Sequence, residues 1–256
     1  MLSLTPLQHG FWAIRMNNSS FLRLAGPIQS WAGPRVTGNV VNSKLQPTRT
    51  GLLGLLAGAL GASRNQWPRW IENVDFAIRE DRRGQFCNEF QTINPRIDEF
   101  RLRADERTFR ERQLSIHGMR VTKTNLAFTP DARDGTSVIR RTYLIEAEFL
   151  VRVTCPEHQD EINSALRNPI FTTYLGKKAF APSFPFYLGY GESQLLSRIP
   201  TYDPLFANPK KQIWTYQRAP YTPDSGVGAL PPTSSMVDVV KNRDTWLTQV
   251  STLLMR

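Results

Sequence analysis

Two cysteines and three histidines are all that 256 residues offer for disulfide or soft-metal chemistry. Cys87 and Cys155 are too few for a disulfide framework, their spacing fits no zinc pattern, and they read as neutral thiols in a reducing cytosol. His9, His117 and His158 form no HxxxH pair, and no CxxC lies beside them, so no metal centre and no cofactor is expected. Long hydrophobic runs are missing as well. The longest, from Gly51 to Ala62, falls far short of the ~20 residues that cross a bilayer, and it reads as a buried helix. The opening MLSLTPLQHGFWAIR has no early positive cluster followed by an apolar stretch and a cleavage site, which disfavours secretion and points to the cytoplasm. GxSxG, HExxH and GxxxxGK[ST] are absent, and no Lys-Ser/Thr follows the glycines of GLLGLLAGALG, so these glycines form no phosphate loop.

What is present is positive charge. Lysine and arginine number 32 against 22 acidic residues, a formal net charge of +10. That balance favours an anionic partner, because each phosphate neutralised by Lys or Arg releases a counterion. Acidic residues are common enough to indicate a basic folded protein without a polybasic tail.

Local patterns predict an α+β chain. A strand is expected over Phe21 to Ala25, stopped by Gly26 and Pro27. The apolar helix begins abruptly at PTRTG: Pro47 biases Gln46 away from helical φ/ψ, and Thr48 or Thr50 can cap the first amides. A half-buried strand follows at Val74 to Arg79, and RTYLIEAEFLVRVTC alternates at Tyr143, Ile145, Ala147, Phe149, Val151 and Val153, the cleanest strand signal in the chain. Pro156 opens a short helix with acidic residues in its first turn. A further strand is expected at Gln212 to Gln217, and the C-terminal MVDVVKNRDTWLTQVSTLLMR reads equally as helix or strand. Strand, helix, strand, insertion, strand, helix approximates the βαββαβ order of a ferredoxin-like or RRM-type core. The insertion, residues 85–141, is dense in Arg and Glu; residues 16–84 and 142–256 form the core, and residues 1–15 an N-terminal extension.

Two blocks carry a family resemblance. LAGPIQSW followed by PTRTGLLGLLAGALG, and NPIFTTYLGKKAFAPSFPFYLG farther on, resemble the CasD subunit family of the type I-E CRISPR Cascade complex. The resemblance implies a noncatalytic subunit that binds and caps the five-prime handle of the crRNA. It would pack against the backbone and large subunits and so serve target DNA recognition. It also implies a protruding β-hairpin thumb at the place of the insertion. The expected handle contacts are Gln29, Trp31, Arg35, Thr48, Arg49 and Thr50 around the helix start, with Lys177 and Lys178 of the second block. A helix N-terminus with arginine beside it is an anion site. Trp31 could instead plug the core, and the lysine pair could be a plain polar turn. Thumb contacts to RNA or the backbone subunit are expected from Arg101, Arg103, Arg107, Arg110, Arg112, Arg120 and Lys123, although Glu99, Glu106 and Glu111 could pair with them. The alternative is a metal-independent endoribonuclease of repeat RNA, which needs a base, an acid and a cation that His117, Lys123 and Tyr143 between them could supply, although nothing in their spacing requires it.

Overall fold

The computed structural model describes residues 18–32, 40–63, 65–93, 119–121, 126–128, 137–205, 208–216 and 230–255; for 93, 119–121, 126–128, 137 and 138 it describes backbone alone. The expected N-terminal extension lies outside these residues. In chain order the elements are β1 (Asn18–Ala25), β2 (Ile28–Gln29), β3 (Val40–Val41), α1 (Arg49–Ala59), β4 (Asp75–Arg82), β5 (Gln85–Ile93), β6 (Met119–Val121), β7 (Leu126–Phe128), β8 (Ser137–Ile145) and β9 (Glu148–Thr154). They continue with α2 (Gln159–Arg167), β10 (Tyr187–Glu192), β11 (Thr201–Tyr202), β12 (Lys210–Tyr216), β13 (Thr233–Met236), β14 (Val239–Val240) and α3 (Arg243–Leu253). The chain is therefore mixed α+β.

The chain divides into two compact units. The first comprises Met1–Trp31, Lys44–Gln85 and Leu144–Arg256; the second comprises Ala32–Ser43 and Phe86–Tyr143. In the first, six strands form one sheet in the order β10-β1-β9-β4-β12-β13, every neighbouring pair antiparallel. Alternation along these strands sends Leu22, Leu24, Phe76, Ile78, Phe149, Val151 and Val153 to one face. There they pack with Leu52 and Leu56 of α1 and with Ile162 and Leu166 of α2. Each such side chain contributes about 1.5–3 kcal/mol by leaving water. The opposite face gathers Phe21, Ala77 and Leu150 with Leu195, Leu196, Trp246 and Val250. In the second unit, β3 runs parallel to β8, β5 pairs with β8, and β6 and β7 are antiparallel.

One expectation needs correcting, one open choice is decided, and one strand is new. The alternating run from Tyr143 to Val153 is two strands in two sheets: β8 ends at Ile145 and β9 starts at Glu148. Between them Glu146 takes a left-handed conformation, φ 59°. Two residues turn the corner, so the even spacing passes through it without a break in the pattern. The C-terminal segment resolves as α3, capped by Asn242 Oδ1, which accepts from Asp244 N at 2.8 Å and Thr245 N at 3.3 Å. A strand that no pattern announced, β10, fills the edge beside β1.

Candidate nucleic-acid interface

The expected handle contacts other than Arg35 lie about a corner of the first unit made by β2, the start of α1 and the loop from Tyr174 to Ala181. Each part is held by identifiable bonds. Thr48 is the helix cap, its Oγ1 accepting from Gly51 N at 3.3 Å, which leaves Thr50 exposed on the first turn. Tyr216 at the end of β12 donates its hydroxyl to Pro47 O at 3.0 Å and fixes the approach to the helix. Burial pushes the Tyr216 phenol above its ordinary pKa.

Gln29 and Trp31 work from inside. Gln29 is wholly enclosed: its Nε2 donates to Ala147 O at 2.8 Å and Leu24 O at 3.2 Å, while its Oε1 accepts from Trp31 Nε1 at 2.9 Å. The Trp31 ring lies against the helix start, where a Cβ on Gly51 would stand 2.9 Å from Cε3. For Trp31 the core reading therefore holds. For Gln29 the expected RNA contact gives way to a strut, since its amide bonds are spent on two carbonyls and an indole. Arg49 is similarly engaged. One terminal nitrogen donates to Glu72 O at 2.7 Å and Val74 O at 3.1 Å, and the other sits 3.6 Å from the Glu72 carboxylate. It ties α1 to the segment entering β4.

The second block docks directly on the first. Ser30 N donates to Leu175 O at 3.0 Å. Gly176 has φ +83°, and a Cβ there would fall 1.6 Å from Ser30 O, so only glycine permits this approach. Leu175 N donates to Phe180 O and Phe180 N to Lys177 O, closing a tight loop. Lys177 is half-buried with its ammonium 5.4 Å from the Phe180 ring centroid, and Lys178 is exposed. Thus Thr48, Arg49, Thr50, Lys177 and Lys178 flank one corner built on Ser30 and Trp31.

Arg35, Arg101, Arg103, Arg107, Arg110, Arg112, His117 and Lys123 lie outside the described residues. Arg120 belongs to β6, described as backbone alone. Tyr143 is buried and donates its hydroxyl to the Glu89 carboxylate. Among the described residues no cluster of His, Cys, Asp or Glu could hold a metal, and no helix is long and apolar enough to cross a membrane. Sequence reasoning missed Tyr216, whose partner lies 169 residues away. Nothing local to YQRAP signals it.

The family profile described as CRISPR-associated protein (Cas_Cas5) matches residues 21–227. The chain is 30% identical over 182 residues, 68% of this chain and 71% of the relative, to the CRISPR system Cascade subunit CasD of Escherichia coli (strain K12). Its fold is similar to a chain of a CRISPR RNA-guided surveillance complex, with TM-score 0.63, 24% identity, and coverage of 92% of this chain and 98% of that one. It is also similar to a structure titled crystal structure of Cas protein, with TM-score 0.52, 22% identity, and coverage of 88% and 100%.

Proposed function

The chain belongs to the CRISPR-associated Cas5 family, and from that premise we propose that it is a noncatalytic subunit of a Cascade-type surveillance complex that grips the crRNA five-prime handle. The observation carrying this reading is the docking of the second family block on the first through Ser30, Leu175 and Gly176. That docking gathers Lys177, Lys178, Thr50 and the amide end of α1 around one corner. A splayed single strand there meets ammonium groups for its phosphates and a capped helix start for an oxygen. Gln29, Trp31 and Arg49 act as positioning residues that hold the corner's shape.

The strand order β10-β1-β9-β4, with α1 between β1 and β4 and α2 between β9 and β10, supports reading the core as ferredoxin-like. Residues 85–141 then form the thumb, whose arginines reach crRNA and the neighbouring backbone subunit. The large subunit packs on the same core, target DNA is met through the guide, and the complex works in the cytoplasm.

The test is binding of handle-bearing RNA by the full chain and by the complex assembled with its partner subunits, against RNA with a scrambled handle, across salt. The doubly charge-reversed variant, Lys177→Glu with Lys178→Glu, is expected to weaken handle binding and to flatten the salt slope by about one for each phosphate it no longer neutralises. Affinity indifferent to handle sequence, salt and charge reversal alike would sink the proposal.

A further inference from the structure

The second unit carries a surface that the handle corner does not use. On β5 the side chains of Phe86, Asn88 and Phe90 fall on one side of the strand, and all three are exposed, the phenylalanines at 51% and 63%. Thr142 of the paired β8 joins them. Its hydroxyl donates to Asn88 Oδ1 at 3.0 Å and lies 3.4 Å from Asn42 Oδ1. Arg140, two residues earlier on β8, shares that side and is exposed, and Val40 stands opposite Arg140 on β3.

Single exposed apolar residues are ordinary and carry no message. This face is a pattern: two flat rings four residues apart on one strand, about 13 Å at strand rise, with a tethered carboxamide between them. Thr142 holds the Asn88 carboxamide by its oxygen, which turns the NH2 end of Asn88 outward as a donor. A guanidinium lies on the neighbouring strand. No carboxylate occupies this side among the described residues, since Glu89 projects to the reverse side, where Tyr143 donates to it. The occupant that suits such a face has π surfaces to stack, acceptors for amide donors and negative charge for arginine. A protein partner would instead call for a continuous apolar centre with few amides.

We propose that the exposed face of β3, β5 and β8 is a base-stacking platform for single-stranded nucleic acid, with Phe86 and Phe90 as its stacking residues and Asn88 meeting a base between them. The platform is independent of the handle corner.

Fluorescein-labelled oligo(U) and oligo(dT), which carry no handle sequence, are titrated by anisotropy against the full chain at low salt. Phe86→Ala with Phe90→Ala is expected to lose about ten-fold or more in affinity, as loss of base stacking does. Phe86→Trp with Phe90→Trp should retain binding, and Phe86→Leu with Phe90→Leu should not. All substituted side chains are exposed, and thermal melts check that the variants stay folded. Preference for either polymer supports the platform and identifies the strand it takes, guide RNA or separated DNA. Absence of binding by the unmodified chain, equal binding by the alanine variant, or rescue by leucine as complete as by tryptophan would overturn it. Handle-bearing RNA titrated against the Lys177/Lys178 charge reversal reports separately on the first site, so failure of one leaves the other standing.

Discussion

The two faces of the six-stranded sheet are made from the same strands and solve opposite problems. On the helix-covered face the inward positions of β1, β4 and β9 are hydrocarbon, and Ile78, Phe149 and Val151 are fully enclosed. On the other face the alternate positions of the same strands include Arg23, Arg79 and Arg152. Arg79 is fully buried: Nε and one terminal nitrogen grip Asp81 at 2.5 and 2.8 Å, and the other donates to Leu196 O and Ile199 O at 2.5 and 2.6 Å. Lys211 donates to Asp81 O at 2.6 Å, and burial, opposed mainly by Asp81, lowers its pKa. Arg23 pairs with Glu148 at 2.6 Å and lies 5.5 Å from the Trp246 ring. The apolar face derives its stability from area. The charged face gains a specific register, because each guanidinium must find its partners or bear desolvation unaided.

That contrast can be broken by removing a partner. Asp81→Ala, which strands a buried guanidinium, should cost about 3–5 kcal/mol, read as a lowered urea midpoint with unchanged slope. Ile78→Val, on the hydrocarbon face of the same strand, should cost only about 0.5–1.5 kcal/mol. Arg152 sharpens the comparison from the other side. Its Nε is buried with no hydrogen-bond partner, its contact with Ser193 O is long at 3.4 Å, and burial, opposed by Asp75, lowers its pKa. Arg152→Met should therefore leave stability unchanged or raise it by about 1 kcal/mol, whereas the same change at Arg79 should be strongly destabilising.

The smallest effect is at Glu80, which follows Phe76 and Ile78 on their side of β4. Burial raises its carboxyl pKa, with Arg83 and then Lys211 pulling the other way. The folded state then binds the proton more tightly than the unfolded chain, so stability falls as pH rises from the ordinary value of 4.5 through the raised one. Glu80→Gln should be neutral or slightly stabilising at pH 7, within about 0.5 kcal/mol, and the advantage should vanish at pH 4 and below. Melting curves of both proteins across that range provide the check.

Much of this sheet was legible beforehand, and the illegible parts have physical causes. The strands expected from Phe21, Val74 and Gln212 are present, each a few residues longer or shifted, because alternation marks the buried middle of a strand better than its ends. In β10 the run YLGYGE holds two glycines between prolines and charge, so its propensity is poor, and it forms because β1 on one side and Met255 on the other pair with it. For α3 the signal was there to be read: Asn242 as a cap, then Trp246, Val250 and Leu254 at intervals of four. At the handle corner the composition of both blocks was visible, but their docking was not. Ser30 and Leu175 are joined only by the fold, and the amide of Gln29 is held by Ala147, a residue of the corner that the pattern concealed.

The bend at Glu146 and Ala147 works as a phase shifter. Even-numbered Leu144 before it and odd-numbered Ala147, Phe149, Val151 and Val153 after it enter the same core, so the inward set changes parity across the joint. Its length therefore admits no slip: one residue added or removed there would turn the inward set of β9 over to the charged side.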